Sequence, residues 1–310
     1  MRIFATTCAA LTATTLCLAA TALCVPAPLY AAPPALTPSR AEQRLAHVSI
    51  ITVGTGDPIV LIPGLGTPRS VWGPLVPRLA RDHQLILVQV NGFGGSDPGA
   101  NLEPGVLDGI VADLHDYLGE HQIGAVPVIG HSMGGLVAIK LALAHPKDVK
   151  RLMIVDALPF FGALIDEQAT VEAIRPMAQM MQRKVASAYG QPADRKAAEA
   201  NVKGLTLQPG NVAKMVGWSI AADPRVMGAL MFEDLTTDVR PNLAELKAPT
   251  TLLYPYATAA DEAKTLAFYK RQYALAPTII FAGIAQSAHM VMLDQPALFA
   301  AAVERFVGAR

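Results

Sequence analysis

Residues 128–135 read VIGHSMGG and place Ser132 between Gly130 and Gly134, in the pattern Gly-x-Ser-x-Gly. Three fixed positions are weak evidence alone, since they arise by chance in roughly one chain of this length in ten. The flanking residues decide the reading. AVPVIG (125–130) is a short apolar run with the character of a buried strand. MGGLVAIKLALAHP (133–146) has helical character and stops at Pro146. A serine at such a strand-to-helix turn is lifted to the mouth of a sheet, at a helix N-terminus whose dipole favours developing negative charge. The two glycines allow the close approach that the sharp turn requires. The bland alternative, a structural serine in a glycine-rich turn, leaves that context unexplained.

Working outward, apolar strands alternate with helices. RLAHVSIITVG (44–54), PIVLIPGLG (58–66), QLILVQVNG (84–92) and VKRLMIVDA (149–157) read as strands. SVWGPLVPRLARD (70–82) reads as a short helix. VLDGIVADLHDYLGEHQ (106–122) sets Leu107, Ile110, Val111, Leu114 and Leu118 on one helical face. Continuous apolar strands between helices predict an α/β fold with a mostly parallel sheet flanked by helices. The rhythm breaks over residues 158–241, which carry helical patterns and no convincing strand. It resumes with APTTLLYPY (248–256), DEAKTLAFYKRQYA (261–274), PTIIFAG (277–283) and PALFAAAVERFVG (296–308). The expected organisation is a core of residues 44–157 and 242–310 with an inserted helical cap at 158–241. The cap holds Met177, Met180, Met181, Met215, Met227 and Met231. Core packing accounts for most of them. Met177, Met181 and Met231 are the candidates for lining an apolar substrate pocket, because methionine adapts to irregular ligands.

The chain of 310 residues is 52% hydrophobic with formal net charge zero. It has length enough for a large core and no basic excess for phosphates, which argues against a nucleic-acid partner. The N-terminal segment has Arg2, a run of small and apolar residues, prolines, and then Leu29-Tyr30-Ala31. That layout predicts a secretory signal peptide over residues 1–31, cleaved after Ala31. An uncleaved membrane anchor is the rival, and a lipoprotein site at Cys24 is disfavoured by the bulky Leu23. A proline-rich tether (32–43) follows. After cleavage no membrane span is expected, and the destination is the periplasm or the medium. Cys8, Cys17 and Cys24 all lie in the leader, so no disulfide and no thiol nucleophile is expected beyond it.

A serine hydroxyl needs a base, and the base needs an orienting acid. Among seven histidines, His289 in SAHMVMLDQP (287–296) is the candidate base. It follows the last apolar strand, so its loop can return to the carboxyl edge of the sheet. His47, His83, His115, His121 and His145 fall on strand or helix surfaces, and His131 is expected to point away from the serine hydroxyl. Asp113, His115, Asp116 and His121 more simply form a solvated helix face, and no metal or other cofactor is inferred. Backbone N–H groups of Met133 and of Leu65 are the candidate oxyanion donors; Pro63 cannot donate.

IVLIPGLG (59–66), VNGFGGSD (90–97), GHSMGG (130–135), AHPKDVKRLMIVD (144–156), TTDVRPNLAELKAPTTLLY (236–254) and HMVMLDQP (289–296) occur in one order. Together they resemble the α/β-hydrolase family from about residue 44 onward. Pro63-Gly64 stands where the family often has His-Gly, and Asn91 where it often has Asp. The resemblance implies an acid soon after TTLLYPY, but Ala257, Thr258, Ala259 and Ala260 follow, and Asp261 comes late. Some family branches carry the acid at the end of the strand RLMIVD, which makes Asp156 the favoured candidate and Asp261 the alternative. The resemblance then implies a serine hydrolase acting on a small apolar ester-like substrate. Amides, thioesters, activated carbon–carbon bonds and a cofactor-free haloperoxidase-like perhydrolysis stay open. The reading from another class is a catalytically weak small-molecule binding protein on the same scaffold.

Overall fold

The structure is a computed structural model that describes residues 38–308 apart from residue 40. The leader at 1–31 and most of the tether lie outside the described residues. Among the described residues eight strands form one sheet: β1 (Gln43–Arg44), β2 (Val48–Val53), β3 (Asp57–Ile62), β4 (His83–Val90), β5 (Val126–His131), β6 (Val149–Val155), β7 (Thr250–Tyr256) and β8 (Ile279–Ala285). Their order is β1-β2-β4-β3-β5-β6-β7-β8. β1 pairs with β2 and β2 with β4 antiparallel, and every pairing from β4 through β8 is parallel. The single strand expected at 44–54 is two, broken at the turn through Leu45 and Ala46. Asn91 holds that turn by donating to both carbonyls, each at 3.1 Å.

The apolar runs form strands because both faces of the sheet are covered. Val60 and Ile62 of β3 join one core cluster while Ile59 and Leu61 join the other, the period of two expected of a strand. The core helices are α1 (Val76–Leu79), α2 (Val106–Glu120) and α3 (Met133–Ala144) before the cap. After it come α8 (Ala259–Gln272), α9 (Val291–Asp294) and α10 (Pro296–Gly308). α2 and α3 cover the first face with Ile110, Leu114, Leu136 and Val137. α1 and α10 cover the other with Leu79, Phe299 and Val303. At roughly 1.5–3 kcal/mol for each fully buried large aliphatic side chain, this two-sided burial outweighs any local preference.

Between β6 and β7 lie α4 (Val171–Ala186), α5 (Arg195–Val202), α6 (Pro209–Ala221) and α7 (Pro224–Thr236), with no strand among the described residues of that stretch. Thr170, Asp194 and Asp223 cap α4, α5 and α7 by accepting backbone N–H bonds. The cap is pinned to the core by Glu233 of α7. Its carboxylate accepts the Gly105, Val106 and Leu107 N–H groups at 2.7, 3.0 and 2.8 Å. Those are the orphan donors at the start of α2, and the negative charge also suits that end of the helix dipole.

Candidate active site

Ser132 sits between β5 and α3 with φ 55° and ψ −128°, a conformation foreign to ordinary L residues. Its neighbours enforce that geometry. The Ser132 N–H donates to Val155 O at 3.0 Å, tying the turn to β6. A Cβ added at Gly130 would fall 2.1 Å from Gly134 O, and one at Gly134 would fall 2.3 Å from Ile62 O. Strand and helix therefore approach more closely than any side chain allows, and Gly is obligatory at both positions. The serine is 8% exposed, at the carboxyl edge of the sheet.

The loop after β3 crosses beside it. A Cβ at Gly64 would lie 3.0 Å from both the Ser132 Cβ and His131 Nδ1. The Leu65 and Met133 N–H groups are used in no hydrogen bond among the described residues. Met133 is the first residue of α3, where a free N–H is intrinsic to the helix. Two donors, one directly after the serine and one on the loop that crosses beside it, thus have their hydrogen bonds unspent.

His289 arrives on the loop between β8 and α9. The loop is held by Ser287 N–H on Tyr256 O at 3.2 Å, Ala288 N–H on Asp294 Oδ2 at 2.8 Å and Met290 N–H on Leu205 O at 2.8 Å. His131 holds it as well. The His131 Nε2–H donates to the His289 carbonyl at 2.9 Å, and the two rings lie 4.6 Å apart. Since a carbonyl only accepts, the His131 proton must sit on Nε2. Burial, and then the neighbouring His289, push the His131 pKa down to about 3, so it remains a neutral donor. His131 makes no hydrogen bond to the serine hydroxyl, and it acts as a clamp on the main chain of His289.

Asp156 follows β6 directly, at φ 46°, with its N–H on Leu253 O at 2.9 Å. Its Oδ2 accepts from His289 Nδ1 at 2.7 Å, which leaves Nε2 of His289 as the free nitrogen. Its Oδ1 accepts from the hydroxyl of Tyr269 on α8. Burial alone would push the Asp156 carboxyl up. The charge and hydrogen bond of His289 and the hydrogen bond of Tyr269 outweigh it, and the carboxyl lies below its usual range. Burial, reinforced by Asp156, holds the Tyr269 phenol well above its usual value, so Tyr269 remains a donor. No hydrogen bond joins Ser132 Oγ to His289 in this structure. Such bonds are often long without substrate and tighten in the Michaelis complex.

The other candidates fall elsewhere. Asp261 is exposed and spent on its own helix start: its Oδ2 accepts from Thr258 N at 3.1 Å and Thr258 Oγ1 at 2.6 Å, a capping box. Asp294 is buried and accepts from Thr206, Leu207 N–H and Ala288 N–H, tying the histidine loop to the segment before α6. Met177 packs with Phe160, Ala163 and Ile174 inside the cap's own small core. Met181 and Met231 are half-buried. The methionine that meets the oxyanion loop is Met227, whose sulfur lies 2.8 Å from where a Gly66 Cβ would stand. The four residues at 113–121 with ligand chemistry do not converge either. Asp113 accepts His47 N–H at 2.6 Å and Val48 N–H at 3.0 Å, and His121 pairs with Gln43.

Sequence reasoning missed Tyr269 and the clamping role of His131. Neither carries a local signal, because each acts on a residue more than a hundred positions away.

The profile of the alpha/beta hydrolase family matches residues 59–302. Among curated proteins, the chain is 25% identical over 260 residues to a pimeloyl-[acyl-carrier protein] methyl ester esterase of Legionella pneumophila, covering 82% of this chain and 96% of that one. A thermophilic esterase from Thermogutta terrifontis superposes with TM-score 0.70 at 20% identity, over 86% of this chain and 98% of the other. A bromoperoxidase from Bacillus anthracis superposes with TM-score 0.68 at 20% identity, over 84% and 95%. At those identities the two solved structures speak for the fold alone.

Proposed function

This chain belongs to the α/β-hydrolase family, and on that premise we propose that it is an exported serine hydrolase that cleaves a carboxylic ester through Ser132, His289 and Asp156. The observation that carries the reading is the 2.7 Å bond between Asp156 Oδ2 and His289 Nδ1, on a loop anchored beside the Ser132 turn. The bond fixes the Nδ1–H tautomer and frees Nε2 to act as a base. His289 takes the Ser132 proton as Oγ attacks the ester carbonyl. The oxyanion that forms is held by the Leu65 and Met133 N–H groups, already free and needing no reorganisation. Collapse expels the alcohol, protonated by His289, and leaves an acyl-Ser132. Water, deprotonated by His289, then releases the acid.

Asp156 carries the developing imidazolium charge, while Asp261 serves α8. The cap face bearing Met227 and, one turn further on, Met231 sets acyl preference, together with Met181 and Met177 of the partner helix α4. The Legionella relative supports a methyl or other short-alcohol ester as substrate class. The binding-protein alternative drew on a displaced acid, and the Asp156–His289 bond supports the enzyme reading over it. Export rests on the sequence pattern of residues 1–31 alone, and N-terminal sequencing of the mature protein reads the cut after Ala31.

The test is active-site labelling. A fluorophosphonate should modify the wild-type protein and not Ser132→Ala, and p-nitrophenyl ester turnover should fall on the order of 10⁴-fold or more in that variant. Near-wild-type turnover in Ser132→Ala would overturn the mechanism. An unlabelled wild-type protein would favour the binding-protein reading.

A further inference from the structure

The fold gathers a second cluster of chemically able side chains, far from Ser132. His115 comes from the middle of α2, His145 from the C-cap of α3, and Asp148 from the turn into β6. One ligand atom from each lies within 4.8 Å of the other two. His115 Nδ1 and Asp148 Oδ2 are 2.6 Å apart. The two imidazoles stack with centroids 3.7 Å apart and planes 15° from parallel. All three residues are half-buried, so they are reachable from solvent and free to adjust.

We propose that His115, His145 and Asp148 form a binding site for one divalent transition-metal ion, zinc(II) in the first instance, that cross-links α2, α3 and the start of β6. Donor chemistry, geometry and preorganisation all favour an ion here. The first is donor chemistry. Two imidazole nitrogens and one carboxylate oxygen suit zinc, nickel, cobalt or copper, whereas magnesium and calcium require oxygen ligands.

The second is geometry. Ligand arms of 2.0–2.1 Å in a tetrahedral site put donors about 3.3 Å apart. One pair stands at 2.6 Å and all three donors lie within 4.8 Å of one another, a range that includes that value. Rotation of half-exposed side chains closes the difference, with water at the fourth position. The ion takes the place of the proton shared by His115 Nδ1 and Asp148 Oδ2, and that proton leaves to solvent.

The third is preorganisation. The His145 N–H is on Leu141 O at 2.8 Å, the Asp148 N–H on His145 O at 3.0 Å, and the Asp148 carbonyl accepts Val126 N–H of β5 at 2.9 Å. The backbone that presents the donors is thereby locked before an ion arrives. The C-terminal end of α3 adds partial negative charge, favourable to a cation. Asp148 adjoins the first residue of β5 and Ser132 follows the last, so the length of β5, roughly 20 Å, separates this cluster from the serine. The proposal is therefore independent of the esterase reading.

The experiment uses the full chain, stripped with chelator and dialysed against zinc chloride, with metal counted by mass spectrometry. The wild-type protein should retain one more zinc per chain than the His115→Gln/His145→Gln variant, and than Asp148→Asn taken separately. The difference cancels any metal held by the leader cysteines. Zinc should raise the Tm of the wild-type protein and not that of the variants, magnesium should not, and the circular-dichroism spectrum without zinc should match in all three, which shows that they fold. Equal zinc uptake by wild-type and variant proteins would overturn the proposal, as would a magnesium-induced Tm rise equal to that from zinc.

Discussion

Replacing Asp156 by Asn tests the site where the structure is most specific. Asn is the right substitution because the residue sits at φ 46°, a region that Asn tolerates as well as Asp, so the backbone is undisturbed. The lost quantity is the attraction between a carboxylate and the imidazolium that forms only in the transition state. At the 2.7 Å separation seen here, an effective dielectric of about 20 gives about 6 kcal/mol. The same substitution in a serine protease costs about 10⁴-fold in kcat, or about 5.5 kcal/mol, so the two estimates agree. Part of the bond survives where the amide oxygen faces Nδ1, and the expected loss is therefore about 10³- to 10⁴-fold. Asp261→Asn disturbs only the capping box, which costs about 1 kcal/mol of stability or less and leaves kcat within about tenfold. Both variants are assayed beside the wild-type protein on one p-nitrophenyl ester, with Tm recorded to show that each is folded. A loss below tenfold in a folded Asp156→Asn, or an equal loss in Asp261→Asn, would refute the assignment.

Ser132→Gly should be inactive yet more stable, since the strain at φ 55° and ψ −128° is worth about 1–3 kcal/mol; a lower Tm than wild type would deny that strain. Tyr269→Phe leaves a buried carboxylate oxygen unpaired, at a cost of about 1.5–3 kcal/mol. The folded Asp156 carboxyl is held low, so its contribution is present above the unfolded carboxyl value and lost as pH falls through the folded one. Removing Tyr269 narrows that window, and acid unfolding should begin at higher pH; an unchanged acid transition counts against the bond. Asp234 of α7 is buried with one oxygen unpartnered, and burial raises its carboxyl well above the usual value. Its contribution is therefore present below the unfolded value and lost as pH rises through the folded one. Asp234→Asn should stabilise the protein by about 1–3 kcal/mol, more at pH 8 than at pH 5, and an equal gain at both would refute the cause. Met227→Ala should shift ester chain-length preference more than Met177→Ala, measured on a p-nitrophenyl ester series; identical profiles would make both methionines packing residues.

Much of the fold was legible because its signals are local. The strand runs of β3 to β8 carry their own burial pattern, and Gly130 and Gly134 flag a close strand–helix approach within five residues. The break in rhythm after β6 marked the inserted helices for the same reason. Even the fate of Asp261 lies within reach of Thr258, three positions away. Other features were invisible in the sequence. Asp156 and His289 stood out singly as candidates, but not the bond that joins them across 133 residues, nor the reach of Tyr269 to Asp156 across 113. Met227 meets the oxyanion loop only because α7 folds back over it, held by Glu233 on α2. His115 sat in the sequence beside Asp113, Asp116 and His121, yet it faces His145 and Asp148, from the end of one helix and the start of a strand. Periodicity records which face of an element is buried, because each side chain's exposure is set within a few residues of chain. It does not record which elements become neighbours. That depends on strand order and on how the cap closes, and both are fixed by burial summed over the whole molecule.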